Sequence, residues 1–480
     1  MSEEWWAGKI RQDFEIKHLP AIQEYLRQPS ISATGEGMQE TAEATAAALD
    51  RLGATNVQIA PTKGWPVVYG ELIDDPDKLT VLFYSMYDVQ PVEPEKWIVP
   101  PFEGAIVEDF EGMGRALVAR GVINTKGPTM AFFQALQTLV DAGKELPVNF
   151  LFAIEGEEEL GSRHFPDFVE SFKSELSQGD VAYFPFFAET VNGRLSLELG
   201  CRGIIYFKIK ITGGDWGGPK TRNIHSSYAS FIDSPTWRLI QLISKMRDID
   251  GQILIPGIYE NVKQASAEDE RVLDSLTNDI DVDEFKIMHD VNRFICDKDG
   301  NEVTGKALWE KLYSPCLTID GIVSGYVEEQ GSKTVLPCSA FANMDIRLVP
   351  DMTVEDTRAK IKTFIQKEAP EAELEMEEGY SWAKMSPSHP YVKALVDILT
   401  SKPEKEYEIW PMLPGSAPFF IFQEKFDMPF LLGGWGHGAR SHSPNEYAFL
   451  ESKTGAGGIM DFEISVARLL IKLAGIGKLK

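Results

Sequence analysis

Cysteine is scarce. The 480 residues hold four, Cys201, Cys296, Cys316 and Cys338, with no C-x-x-C pair among them. That pattern excludes a disulfide framework and a thiolate zinc site. Long hydrophobic runs are also missing: no stretch of about 18 apolar residues occurs, so no membrane span is expected. The opening MSEEWWAGKIRQDFEIKHLP is charged throughout and does not read as a signal peptide, which makes a cytoplasmic location the expectation. Positive charge is the third shortage. Lys plus Arg is 47 against 73 for Asp plus Glu, a formal net charge of -26, which repels phosphate backbones and anionic lipid surfaces and so excludes nucleic acid and membranes as partners.

A chain of this length exceeds one ordinary core, and two domains are expected. The first 200 residues alternate helical and strand patterns in the manner of an α/β domain. LPAIQEYLRQPSIS (19–32) predicts a helix ending before Pro29, and ETAEATAAALDRLGA (40–54) an amphipathic helix stopped by Gly53. The apolar runs LTVLFYS (79–85) and PVNFLFAIE (147–155) read as strands, joined by the helix GPTMAFFQALQTLVDAG (127–143) with Pro128 in its first turn. Ligands of such sheets gather at the carboxyl ends of the strands, so chemistry is expected after Tyr84 and Ile154. Texture changes after LELGCRG (197–203). Strand-like IIYFKIKITGG, a helical pattern over 234–251, a polar acidic stretch over 265–285, a helix over 353–370 and strand-like AELEMEEG (372–379) describe an inserted α+β layer. From about residue 385 the α/β texture returns and ends in the helix DFEISVARLLIKLAG (461–475).

Three turns carry candidate chemistry. EGEEELGS (155–162) puts four carboxylates at a strand end, where adjacent ones could divide labour as metal ligand and proton carrier; the plain alternative is a solvated acidic turn. GGWGHGARSHSPNE (433–446) surrounds two histidines with glycine, which implies a tightly shaped turn and makes His442 a candidate ligand, with His437 beside it. In ARGVINTKGP (119–128), Asn124 falls where the crossover helix needs an N-cap.

Taken together, Trp97 with PPFE (100–103), RGVINTKG (120–127), EGEEELGS, IHSSY (224–228), DIRLVP (345–350), PGSAP (414–418) and HSPNE (442–446) resemble the di-zinc exopeptidase family of carnosinase-type dipeptidases, acetylornithine deacetylase and glutamate carboxypeptidases. The resemblance runs in order from about residue 19 to the C-terminus. It implies a catalytic α/β domain of mixed sheet flanked by helices, residues 1–203 and 381–480, and an inserted α+β lid at 204–380 through which a homodimer forms. It also implies a small-molecule or dipeptide-like substrate. Glu158 matches the family's general base, Glu159 and His442 the ligands of one metal, and Glu189 a ligand of the other. His225 matches a residue that polarises the scissile carbonyl, while Arg347 and the turn with Gly415 and Ser416 match binders of a substrate carboxylate.

Two positions depart from the family pattern. Its first turn is H-x-D, a metal-binding His oriented by the Asp; here Asp88 remains but the ligand position is Met86. The bridging Asp of RG-x-x-D-x-KG is Asn124. Thioether sulfur is a poor ligand for Zn²⁺ or Mn²⁺, and a neutral amide cannot screen two neighbouring dications. The expectation is therefore one divalent ion, zinc or manganese, at Glu159 and His442 with the neutral oxygen of Asn124 as a further candidate ligand, or none. His437 is the other histidine that could replace the lost ligand. The function expected is hydrolysis of amide or peptide-type bonds in small carboxylate-bearing substrates. The alternatives are a metal-independent enzyme using Glu158 for proton transfer, or a homologue that binds a small ligand without turnover.

Overall fold

The computed structural model describes residues 2–327, 332–402 and 405–479. The chain forms two compact units, one of residues 1–199, 385–410 and 421–480, the other of residues 200–384 and 411–420. The segment carrying the PGS turn clusters with the second unit because Leu413–Ser416 pairs parallel with the long strand Gly200–Thr212.

The first unit is built on a six-stranded mixed sheet in the order Thr55–Ala60, Val67–Leu72, Asn149–Glu155, Thr80–Met86, Val181–Phe187, Phe430–Gly434. Every residue of Thr80–Met86 is buried, as expected of a strand covered on both faces. It runs parallel to both neighbours, with Met86 opposite Glu155, so the turns after Met86 and Glu155 leave the sheet at the same edge. The helix Lys126–Asp141 buries twelve of its sixteen residues, which include Phe132, whose ring centroid lies 4.2 Å from that of Phe83. Burying each such ring contributes about 1.5–3 kcal/mol. Gly127 admits no side chain, since a Cβ there would lie 2.0 Å from the Val122 carbonyl oxygen.

A second sheet of this unit pairs Gly114–Val118 with Tyr447–Ser452, Tyr447 standing opposite Val118. The loop to Lys126 leaves the first strand and the HSPNE turn enters the second, which brings two distant motifs side by side. His442 and Asn445 have φ of 63° and 60°, a left-handed backbone rare outside glycine, so the turn is as tightly bent as the glycine-rich sequence implies.

The second unit carries an antiparallel sheet in the order Cys316–Ser324, Ser339–Leu348, Gly200–Thr212, Glu373–Met376. The helices Pro235–Ile243 and Val354–Glu368 close its core through Leu239, Leu242 and Ile361 against Phe207, Ile209 and Met344. The α/β class with an inserted α+β unit is thus as expected.

Several local expectations change. The helix expected over 234–251 stops at Ile243, because Asp248 accepts the Gln252 amide and Gly251 turns the chain at φ 84°. The acidic stretch contains a helix, Ala267–Asp279, started by a reciprocal capping box between Ser266 and Asp269. The charged N-terminus is helical over Glu3–Asp13 with Ser2 capping the Trp5 amide. Among the described residues no helix is long and apolar enough to cross a membrane.

Candidate functional site

Parallel pairing sets Asp88 beside the acidic turn. Its fully buried carboxylate accepts the backbone N–H groups of Glu158 (3.2 Å) and Glu159 (3.1 Å), so it fixes the backbone of the two glutamates rather than orienting an imidazole. Burial, with Glu159 nearby, pushes the Asp88 carboxyl up to about 7. Met86 ends the strand two residues earlier and is 2% exposed, a buried apolar side chain that plugs the strand end.

The four glutamates of the acidic turn have different surroundings. Glu155 accepts from the Tyr84 hydroxyl (2.6 Å) and the Ser162 hydroxyl (2.9 Å), both at Oε1; burial drives it up to about 8. Glu157 meets His164 Nδ1 at 2.7 Å. Glu159 accepts from Asn124 Nδ2 at Oε1 (2.7 Å) and from Gln90 Nε2 at Oε2 (2.8 Å), with His442 Nε2 3.1 Å from Oε2. The half-buried Glu158 has no hydrogen-bond partner for its carboxylate among the described residues. Burial raises its pKa well above the ordinary carboxylate value, and the charges of Glu159, Asp88 and Glu155 push the same way. Gly156 is required in this turn: a Cβ there would lie 2.4 Å from the Tyr87 hydroxyl.

Asn124 is not the helix cap. The helix starts at Lys126 with Thr125 at its N-cap and no side-chain cap bond. The Asn124 amide nitrogen points instead between Glu159 and His442, 3.0 Å from His442 Nε2. The hydrogen bond to Glu159 raises the His442 pKa despite partial burial. Glu446, quoted in HSPNE but given no role there, holds this loop. Its fully buried carboxylate accepts from Arg120 Nη1 (2.7 Å) and Gly121 N–H (3.1 Å) at Oε2, and from Ile123 N–H (3.0 Å) and Asn124 N–H (3.1 Å) at Oε1. The RG of the Asn124 loop and the final E of HSPNE were the available signal, a cation and a carboxylate in two motifs of one site.

Glu189 lies past the end of Val181–Phe187, its side chain fully buried. It accepts Gly436 N–H (3.2 Å) at Oε1, Gly457 N–H (2.6 Å) at Oε2, and the Lys405 ammonium, also at Oε2. His437 Nδ1 donates to the Glu189 carbonyl (2.7 Å), leaving Nε2 to accept from the Tyr447 hydroxyl at 3.1 Å. Burial lowers the His437 pKa. With both ring nitrogens engaged, His437 does not stand in for Met86.

On the second unit, Arg347 donates from Nε to Asp345 (3.1 Å) and from Nη1 to the Ser416 hydroxyl (2.8 Å), next to Gly415. His225 accepts the Ser227 N–H at Nδ1 (3.2 Å), so Nε2 carries the proton toward Thr334 Oγ1 at 3.0 Å.

Among the described residues no three His, Cys, Asp or Glu side chains converge to hold a metal ion. The donors present do not fit a dinuclear centre: Glu189 is already paired with an ammonium and two amides, and Met86 offers only sulfur. Glu159 and His442, with Asn124 between them, are the residues that one divalent ion could take.

In fold, the chain is similar to the crystal structure of an M20 family metallo-carboxypeptidase, Sso-CP2 from Sulfolobus solfataricus, with a TM-score of 0.84 and 30% identity, covering 96% of this chain and 99% of that one. Residues 82–455 match Peptidase family M20/M25/M40, and the chain belongs to that family. Among curated relatives, the Beta-Ala-His dipeptidase of Rattus norvegicus is 30% identical over 304 residues, 63% of this chain and 58% of that protein. The Cys-Gly metallodipeptidase dug1 of Schizosaccharomyces pombe is 27% identical over 402 residues, 81% of this chain and 79% of that protein. The chain spans little more than half the length of the Beta-Ala-His dipeptidases it matches, between 55% and 58%.

Proposed function

We propose that the protein is a hydrolase of amide or peptide-type bonds in small carboxylate-bearing substrates such as dipeptides, with Glu158 as general base. The observation that carries this reading is the division among the four glutamates. Three have named partners, while Glu158 keeps a carboxylate without a hydrogen-bond partner among the described residues, beside a strand end, on a turn fixed by Asp88. A carboxyl raised by burial and by neighbouring charge both accepts a proton from water and returns it to a leaving amine near neutral pH. The proposal gives His225 Nε2–H the scissile carbonyl oxygen, and gives the Arg347 guanidinium with the Ser416 hydroxyl the substrate carboxylate. Its metal centre is reduced, with one divalent ion, zinc or manganese, at Glu159 and His442 or none, and its setting is cytoplasmic. A homodimer through residues 204–380 belongs to the same proposal.

A second reading, proton transfer or ligand binding without hydrolysis, is favoured by one observation. The Asn124 amide, a neutral hydrogen-bond donor, sits where Glu159 and His442 converge. Dipeptides with free or amidated C-termini separate the two readings, with release of free amine followed for the wild type and for Glu158→Gln. Hydrolysis predicts turnover of the free acids, its loss in Glu158→Gln, and a dissociation constant within about threefold of wild type. Unchanged turnover in that variant refutes Glu158 as base. Binding without amine release in the wild type favours the second reading.

A further inference from the structure

We propose that Lys405 is a built-in counter-cation for Glu189, so that an internal ammonium–carboxylate pair stands where one ion of a dinuclear centre would otherwise bind. The inference deepens the reduced-centre reading above and rests on its placement of Glu189. A buried carboxylate demands a positive partner, because its charge is costly away from water. Here that partner is a lysine that is itself 9% exposed on its side chain. Sheet pairing fixes it in place. Tyr407–Trp410 runs parallel to Leu195–Glu198, the Leu195 amide donates to the Glu406 carbonyl (2.9 Å), and Leu195 also bridges back to Glu189. Lys405 enters this pairing one residue before Glu406, which brings it alongside the carboxylate.

The two oxygens of Glu189 offer about four lone-pair directions, and two backbone amides and the ammonium take three. A dication at this carboxylate would have to expel the lysine or accept repulsion from it at contact distance. Among the described residues no three His, Cys, Asp or Glu side chains gather to hold an ion, and His437, bonded to the Glu189 carbonyl, has both nitrogens committed. Lys405 therefore confines metal binding to the Glu159 and His442 side.

The test counts zinc and manganese per chain by mass spectrometry after dialysis, in wild type, Glu189→Gln, Met86→His/Asn124→Asp, and that pair combined with Lys405→Met. The expected result is a Glu189→Gln chain with the wild-type metal content, a double variant that gains no ion, and a folded triple variant that gains one ion. Loss of an ion in Glu189→Gln, a second ion in the double variant with Lys405 in place, or no gain in a folded triple variant overturns the proposal. A thermal double-mutant cycle on Lys405→Met and Glu189→Gln keeps the test decisive if the triple variant does not fold or if the wild type holds no metal. The combined midpoint loss should be clearly smaller than the sum of the single losses; additive losses overturn the pairing. None of these measurements depends on turnover, so failure of the hydrolase reading is scored separately.

Discussion

Replacing Glu446 by Gln tests whether the Asn124 loop is held by one buried carboxylate. Each oxygen of Glu446 accepts two donors, Ile123 and Asn124 amides on one, Arg120 and the Gly121 amide on the other. Glutamine turns one oxygen into an NH₂ group, so two of these donors face another donor whichever way the amide turns. An unsatisfied buried donor costs about 1–3 kcal/mol. Removing the charge opposite the buried Arg120, whose side chain is 3% exposed, belongs to the class of broken buried pairs that cost about 3–5 kcal/mol. The overlapping terms give an expected loss of about 4 kcal/mol. In a domain of a few hundred residues roughly 2 °C of midpoint corresponds to each kcal/mol, so scanning calorimetry should show a drop of about 8 °C. Glu446→Asp keeps the charge and should recover part of it. A Glu446→Gln midpoint within about 2 °C of wild type would refute the idea that this carboxylate organises the loop.

Glu155 makes stability fall as pH rises. Its folded pKa of about 8 lies above its ordinary 4.5, so the folded state holds the proton more tightly; the stabilisation is complete below about 4.5 and is lost as pH climbs toward 8. At about 1.4 kcal/mol per pH unit the ceiling is about 5 kcal/mol. Glu155→Gln, which still accepts from Tyr84 and Ser162, should flatten urea midpoints measured between pH 5 and 8, and a slope unchanged by the substitution would exclude this source. Arg347→Lys keeps the charge but loses the planar fork; KM for a free-acid dipeptide should rise about tenfold, near 1.4 kcal/mol, with that for an amidated one unchanged. Equal effects on both would remove Arg347 from carboxylate binding.

Much of the fold was legible because its signals are local. The mostly apolar Thr80–Met86, the strand-like run IIYFKIKITGG and the Gly53 stop each lie within a few residues of the structure they specify. Boundaries were lost where side-chain hydrogen bonds outweighed periodicity, as at the Asp248 turn and the Ser266 capping box. In the site, the acidic turn stood out by its position after a strand, and Asn124 and His442 do meet Glu159. Glu446 and Lys405 did not stand out, since neither is unusual among its sequence neighbours.

The amino-acid order by itself determined the alternation of α/β and α+β textures, the strand ends at which carboxylates gather, and the excess of negative charge, all properties of residue type and short spacing. Only the tertiary structure decided which of four glutamates has no hydrogen-bond partner for its carboxylate among the described residues, and that Glu189 is paired with a lysine 216 positions away. It also set the Asn124 loop on a carboxylate 322 positions downstream. Strand pairing, not sequence distance, selects such partners, and burial then makes each pairing obligatory because an unpaired charge or donor away from water costs several kcal/mol.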